Sequence, residues 1–454
     1  MKSKYILTGL LTFGVLSSLA QDKLSLQECR DKALEYNKEK KISRLMTDKA
    51  GYDVKTYWAK FFPHVEASGN YMFSSNKYKE STDPMQIPTF NNVGGVPTPN
   101  GGFVFVPSIP LEFTLNKNWT AGVNVTQPIY MGGRIVSAYR MAKIGSDLSY
   151  LNQVLTNNEV VYQTDIAYWN LLKVQELLLA ANKYEEVVDR LMVDVTNAYD
   201  EGMKSRNDVL KVKVKQNEAR LNTRRAENGI KLARMALCHI IGVDLLTEID
   251  IDDSELKLDN LAPVTVKDDI LLRPEYQILS KKIEFDSQQI KLARGEYLPQ
   301  VGVRGGWNYF DALRLNNESL MKGGGFSALI SVKVPLFKWG EGINKVKSMK
   351  VQHKMTQLQR EDATEKMQLE MTMALNQVDE SHLEVEMTNE ALQSAEENLR
   401  MSRDQFEVGL ETLADHLEAQ TLWQKAWADF IESKAQLKLN ETNYLKASGQ
   451  LYVE

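Results

Sequence analysis

Phe406-Glu-Val-Gly-Leu-Glu-Thr-Leu-Ala-Asp-His-Leu-Glu418 decides how this chain is read. It centres on Gly409, between two long helical patterns, and it has a twin in Tyr199-Asp-Glu-Gly-Met-Lys-Ser-Arg-Asn-Asp-Val-Leu-Lys211. Gly202, Asp208 and Leu210 stand 207 residues before Gly409, Asp415 and Leu417. The same offset carries Pro128 to Pro335, Gly133 to Gly340 and Gly242 to Gly449. An ungapped register of this length is an internal duplication. The chain reads as two copies of one unit, with the glycine turn at the distal end of each.

Outward from the turns the pattern is helical. Residues 135–199 and 343–405 run without an internal proline, and sixty-five helical residues span roughly 100 Å. Met371, Val378, Val385, Leu392 and Leu399 recur every seventh position, a stripe that signals coiled-coil packing. The positions four after Met371 and its repeats read Leu375, His382, Asn389 and Glu396, which predicts one narrow packed seam and much wet surface. Residues 24–60 and 207–241 are shorter helical segments. Placed end to end they match one long helix, so the sequence predicts a wall of long helices beside stacked short pairs. Ser25 with Glu28 fits a capping box at the start of the first. Cys29 and Cys238 fall near the junction of that stack, either as a disulfide or as two buried thiols.

Further out the period drops to two, the mark of a strand. Val65, Ala67, Gly69, Tyr71 and Phe73 share one side of residues 61–73; Trp119, Ala121, Val123 and Val125 do the same in residues 119–125. In the second copy Val301, Val303, Gly305, Trp307 and Tyr309 share a side, as do Phe326, Ala328, Ile330, Val332 and Val334. Residues 74–118, rich in Pro, Gly and Asn, read as a long loop. Ten-residue strands with aromatics near their ends are the pattern of lipid-facing barrel strands, and a soluble β-sandwich is the alternative. Four strands cannot close a barrel, and open edges are not tolerated in lipid. In a membrane these strands therefore require several chains.

The first twenty residues begin with Lys2 and Lys4, continue apolar through residues 6–19 and end on Ser18-Leu-Ala20, the pattern of a cleaved secretory signal. No later window is apolar enough for a membrane helix. Net charge is −5 and mean hydropathy −0.36; without a clustered basic face nothing favours nucleic acid. Residues 243–272 carry Asp244, Glu248, Asp250, Asp252, Asp253 and Glu255 before Pro263, but Glu255 stands where a calcium loop needs glycine. They read as an acidic, solvated connector. His64, His239, His353, His382 and His416 form no metal or catalytic motif, and no phosphate loop follows a strand. The sequence predicts no enzyme, no metal and no cofactor.

The order of signal, helix, hairpin, long helix, glycine turn and short helix, then all of it again, resembles the TolC-like outer-membrane efflux family. The likeness covers residues 24–451. It is carried by Pro128-Ile-Tyr-Met-Gly-Gly133 and Pro335-Leu-Phe-Lys-Trp-Gly340 at strand-to-helix junctions, Leu298-Pro-Gln-Val301 where a strand begins, and the Gly202 and Gly409 turns. The resemblance implies a mixed α/β membrane protein and a homotrimer. Four strands per protomer would join in one β-barrel in outer-membrane lipid, continued by a periplasmic coiled-coil α-helical barrel. In domain terms, 1–20 is the signal, 21–242 the first repeat (hairpin 61–130, turn 199–207), 243–272 an equatorial connector and 273–454 the second repeat (hairpin 299–335, turn 406–414). The implied partners are a periplasmic adaptor and an inner-membrane pump, and the implied role is the exit duct of multidrug efflux or type I secretion.

The same resemblance assigns roles at the turns. Asp415 matches the family's constricting aspartate, Glu418 stands where a second acid is frequent, and Asp208 is the first-copy equivalent, with Lys211 in place of its second acid. Asp208 and Asp415 also suit a plain helix-cap role. Lys204 and Arg206 are expected to link to Glu411 or Asp415 and hold the end shut. Gly202 and Met203, with Val408, Gly409 and Leu410, form the expected adaptor contact. A structural coiled-coil envelope trimer and a free-standing porin are the alternative functions.

Overall fold

The computed structural model describes residues 23–93, 96–114, 117–252, 270–311 and 314–451. The expected signal segment 1–20 and residues 253–269 of the expected connector lie outside them. Two units emerge, and each draws on both repeats. The first takes the chain up to Asp48, Asp147–Lys281 and the chain from Gln357; the second takes Lys49–Ser146 and Lys282–Thr356. No helix among the described residues is long and apolar enough to cross a membrane.

The helices are α1 (Leu26–Tyr36), α2 (Lys38–Ala59), α3 (Arg134–Asp200), α4 (Arg206–Ile241), α5 (Pro274–Gly295), α6 (Glu341–Glu407) and α7 (Leu413–Ala447). The duplication shows in the lengths: α3 and α6 each hold 67 residues, α4 holds 36 and α7 holds 35. Ser25 and Glu28 form the expected capping box on α1. The single helix expected over 24–60 is broken at Asn37, whose ψ of 134° is extended. Its Oδ1 accepts from the Glu39 amide at 2.8 Å and so caps α2, while its Nδ2 donates to the Ile240 carbonyl at 3.1 Å. One side chain thus ends the α1 run and ties it to the last turn of α4.

Cys29 and Cys238 are buried and unbonded, in one core with Leu26, Trp169, Leu237 and Ile241. Burial pushes the Cys29 thiol up to about 12, which keeps it protonated and unreactive. The described part of the connector is not simply solvated: Ile251 pairs with Leu24, and Ile249 and Ile251 enter this core.

A second core runs along α6 and α7. Val378, Val385 and Leu392 are buried in it, with Met371 and Leu399 at its margin, as the seven-residue stripe predicts. The companion stripe lies three residues on rather than four: Ala374, Ser381, Thr388, Ala395 and Ser402. Its hydroxyls reach α7, where Asn440 donates to Ser381 at 2.6 Å and Thr388 meets Ser433 at 2.7 Å. Small residues let the helices approach, and the polar seam takes its contacts as hydrogen bonds rather than as lost packing.

In the second unit β1 (His64–Met72), β6 (Asn118–Met131), β7 (Gln300–Asp311) and β10 (Lys322–Lys333) form one antiparallel sheet in the order β1-β6-β7-β10. The register sets Ala67 beside Val123, Val123 beside Trp307 and Trp307 beside Phe326, so the four predicted apolar sides form one face. Trp119 stacks on Tyr309 there at 4.7 Å. On the other face Asn124 and Asn308 exchange hydrogen bonds at 3.3 and 3.2 Å, and Arg304 meets Glu66 at 3.1 Å. A Cβ on Gly122 would stand 2.1 Å from Asn308 Oδ1, so that glycine makes room for the amide pair.

The expected loop 74–118 is instead mostly strand. β2 (Lys77–Ser81), β5 (Pro110–Thr114), β8 (Arg314–Leu315) and β9 (Glu318–Ser319) form a second sheet, and β3 (Met85–Val93) pairs with β4 (Val96–Val106). Its prolines suggested loop, yet a two-stranded hairpin is all edge, and edges accept proline.

Candidate functional site

The two glycine turns lie side by side in the first unit. Each ends a 67-residue helix in the same way. Gly202 and Gly409 have φ of 79° and 77°, a left-handed conformation that glycine adopts without steric cost. Met203 N donates to Ala198 O at 2.8 Å and Leu410 N to Gln405 O at 2.9 Å, the bond that closes a glycine C-cap. No atom lies within 4 Å of a Cβ built on either glycine. Met203, Val408 and Leu410 are exposed, so both turns present backbone and apolar side chains outward. The described surface at these turns therefore suits both roles expected of the glycines, helix ending and close approach by a partner.

Past each turn a hydroxyl and an acid begin the next helix. Ser205 caps α4: its hydroxyl and its amide both donate to Asp208 Oδ2, at 2.8 and 3.1 Å. Thr412 caps α7 and donates to Asp415 Oδ2 at 2.6 Å. The two Ser205 bonds, with Lys211 and Lys204 nearby, hold the Asp208 carboxyl below its usual range. Asp208 thus completes the capping box of α4, whereas Asp415 braces the Thr412 hydroxyl that caps α7. Ser205-x-x-Asp208 and Thr412-x-x-Asp415 are cap signatures readable in the sequence. Asp415 and Glu418 are exposed, and Asp208 is partly so.

The expected link between turns takes another form. Among the described residues no ion pair joins Lys204 or Arg206 to Glu411 or Asp415 within the chain. The Lys204 ammonium lies over the Phe406 ring, 4.5 Å from its centroid. The His416 ring stacks on Phe406 at 5.0 Å and 8°. His416 is buried, with Nδ1 3.0 Å from Ser402 Oγ and Nε2 2.9 Å from Gln420 Nε2. Gln420 as placed donates to Nε2, which puts the imidazole proton on Nδ1, toward Ser402. Burial lowers the His416 pKa, partly opposed by Glu411. Glu411 Oε2 is shielded and unpartnered. Val195, Val212 and Leu413 are buried beneath, with Phe406 packed against them. Phe406, Ser402, His416 and Gln420 were not singled out from sequence as site residues, because their roles come from contacts between α6 and α7. A groove of about 1140 Å³ runs between the ends of α3 and α6, lined by Arg190, Lys204, Arg400 and Arg403 and by Asp194, Glu396, Asp404 and Glu407.

Duplicated long helices ending in paired turns, with a four-stranded open sheet in the other unit, define the architecture of the chain. Residues 30–243 and 273–450 match the family described as Outer membrane efflux protein, and the chain belongs to that family of outer-membrane channels. Outer membrane protein TolC of Vibrio cholerae serotype O1 is 22% identical over 310 residues, 66% of this chain and 69% of the relative. Among solved structures, the CmeC outer membrane channel of Campylobacter jejuni superposes with a TM-score of 0.73 at 16% identity, covering 94% of this chain and 86% of its own. The open state of the Neisseria gonorrhoeae MtrE outer membrane channel gives 0.72 at 17%, covering 94% and 89%. Matches at such identities show the fold, and the family match places the protein in the outer membrane with its helices in the periplasm.

Proposed function

We propose that this chain forms, as a homotrimer, the outer-membrane exit duct of a tripartite efflux or type I secretion system. The observation that carries this is the open sheet. β1 and β10 each pair on one side only among the described residues, and an edge in lipid must find a partner. Three copies would close twelve strands into a barrel, with the helices continuing the passage. A periplasmic adaptor would meet Gly202, Met203, Val408, Gly409 and Leu410, with an inner-membrane pump behind it. Asp415, Glu418 and Asp208, repeated around the axis, would form the acidic constriction, and the Lys204–Phe406 contact would hold each pair of turns together. Planar-bilayer recording on the purified trimer tests this reading. A small, cation-favouring conductance supports it. A large steady conductance marks a free porin, and no conductance marks a structural trimer.

A further inference from the structure

Met85–Val106 holds no Asp, Glu, Lys, Arg or His, in a chain that is 25% charged. It forms β3 and β4, which pair only with each other among the described residues. Gln86 opposite Phe105 and Pro88 opposite Phe103 put both phenylalanines on one face; Ile87 opposite Val104 makes the other face apolar too. Phe103 and Phe105 are 64% and 62% exposed. Yet the hairpin is internally fixed. Asn100 Oδ1 accepts from Thr89 Oγ1 and from the Gly102 amide, and its Nδ2 donates to Asn91. An isolated two-stranded hairpin is marginal in water, so a cover over this apolar surface is expected.

The chemistry selects the cover. The bilayer interior is disfavoured because, among the described residues, both hairpin edges lack a neighbouring strand. A phosphate-rich headgroup layer needs cations that this segment lacks. Strand addition at an edge is opposed by Pro88 in β3 and by Pro97 and Pro99 in β4, which supply no N–H. Face-to-face packing on an equally uncharged surface remains. The hairpin follows β2 and β5 beyond the Met72 end of β1 and the Asn118 end of β6, the end of the sheet away from α2 and α3. The sheet itself needs further copies at its two edges, and those copies bring the same hairpin.

We propose that the β3–β4 hairpins of neighbouring copies pack on one another through Phe103 and Phe105, as an apolar cap over the outer mouth of the barrel. This rests on the trimeric reading above. The test uses the full-length protein in outer-membrane vesicles, with Phe105→Cys or Phe103→Cys and a Lys79→Cys control on β2. Cys29 and Cys238 are buried, so the unsubstituted protein sets the background. Oxidative crosslinking should yield disulfide-linked dimers from Phe105→Cys and Phe103→Cys but not from Lys79→Cys, while sedimentation shows trimers for all three. Trimers without crosslinks at either phenylalanine site, or with equal crosslinking at Lys79→Cys, overturn the cap and leave the duct standing. Quenching of a fluorophore at Phe105→Cys by spin-labelled lipid also overturns the cap, in favour of a lipid contact. Absence of trimers overturns both readings.

Discussion

The Lys204 ammonium sits 4.5 Å from the centre of the Phe406 ring and is the charged contact that joins the first glycine turn to the second. Two turns that descend from one ancestral unit are therefore tied by a contact the duplication does not predict, since Lys204 and Phe406 are not equivalent positions. A cation–π contact at a partly exposed site contributes about 0.5–1 kcal/mol. Removing it should loosen the turns without unfolding the chain. Lys204→Met should leave the thermal transition of the trimer nearly unchanged and raise single-channel conductance. An unaltered conductance would remove this contact from the closed state.

His416 supplies a pH dependence whose direction follows from burial. Its folded-state pKa lies below the ordinary value near 6.5, so the fold favours the neutral ring. That contribution to stability is present above the unfolded-state pKa and is lost as pH falls through the lowered folded-state pKa. Thermal stability should decline from neutral toward mildly acid pH, and His416→Gln should flatten part of that decline. The groups facing the ring are Glu411, Glu407 and Arg403, with Lys204 on the far side of Phe406. Equal slopes for His416→Gln and the parent protein would show that the ring does not titrate in this window.

Asp415 accepts from the Thr412 hydroxyl that caps α7 and is also proposed to line the pore, and one substitution separates the roles. Asn keeps an oxygen that can accept from Thr412 but carries no charge. Asp415→Asn should therefore cost well under the ~1 kcal/mol typical of losing a cap, while lowering the preference for cations in bilayer recordings. Asp415→Ala combined with Glu411→Ala should give a leakier channel and greater sensitivity to large antibiotics. If Asp415→Asn lowers stability yet leaves ion selectivity intact, support of the Thr412 cap is its whole role.

The fold was legible where periodicity has one interpretation. The seven-residue stripe of α6 and the period-two strands needed only the geometry of helix and sheet, and their faces came out as read. Two readings failed for want of partners. Asn37 looks like any polar helix residue until the Ile240 carbonyl stands beside it. Residues 74–118 look like loop because proline and glycine are counted without knowing that the strands they interrupt are edges. At the turns, Gly202 and Gly409 were visible from the duplication. Phe406 and His416 were not, because an aromatic beside a helix end means nothing until Lys204 and Ser402 arrive from other segments.

Asp165 should be the most damaging single truncation among the helices. Its carboxylate accepts from Arg30 Nε and Nη2 at 2.7 and 2.6 Å, and Thr442 approaches at 3.4 Å, so α1, α3 and α7 meet on one fully buried side chain. Burial pushes the carboxyl above its ordinary range, opposed by Arg30 and Thr442. Removing one member of such a buried pair costs about 3–5 kcal/mol. Asp165→Ala should lower the thermal transition strongly, whereas Asp165→Ala with Arg30→Met, which removes both charges, should recover part of the loss. A Gly409→Leu chain offers the opposite case. Its open surroundings limit the penalty to backbone strain of about 1–2 kcal/mol, so it should still assemble as trimers. It should nevertheless lose pump-dependent export, because the leucine side chain would occupy the space through which a partner approaches. Normal export by Gly409→Leu trimers would exclude this turn as the contact.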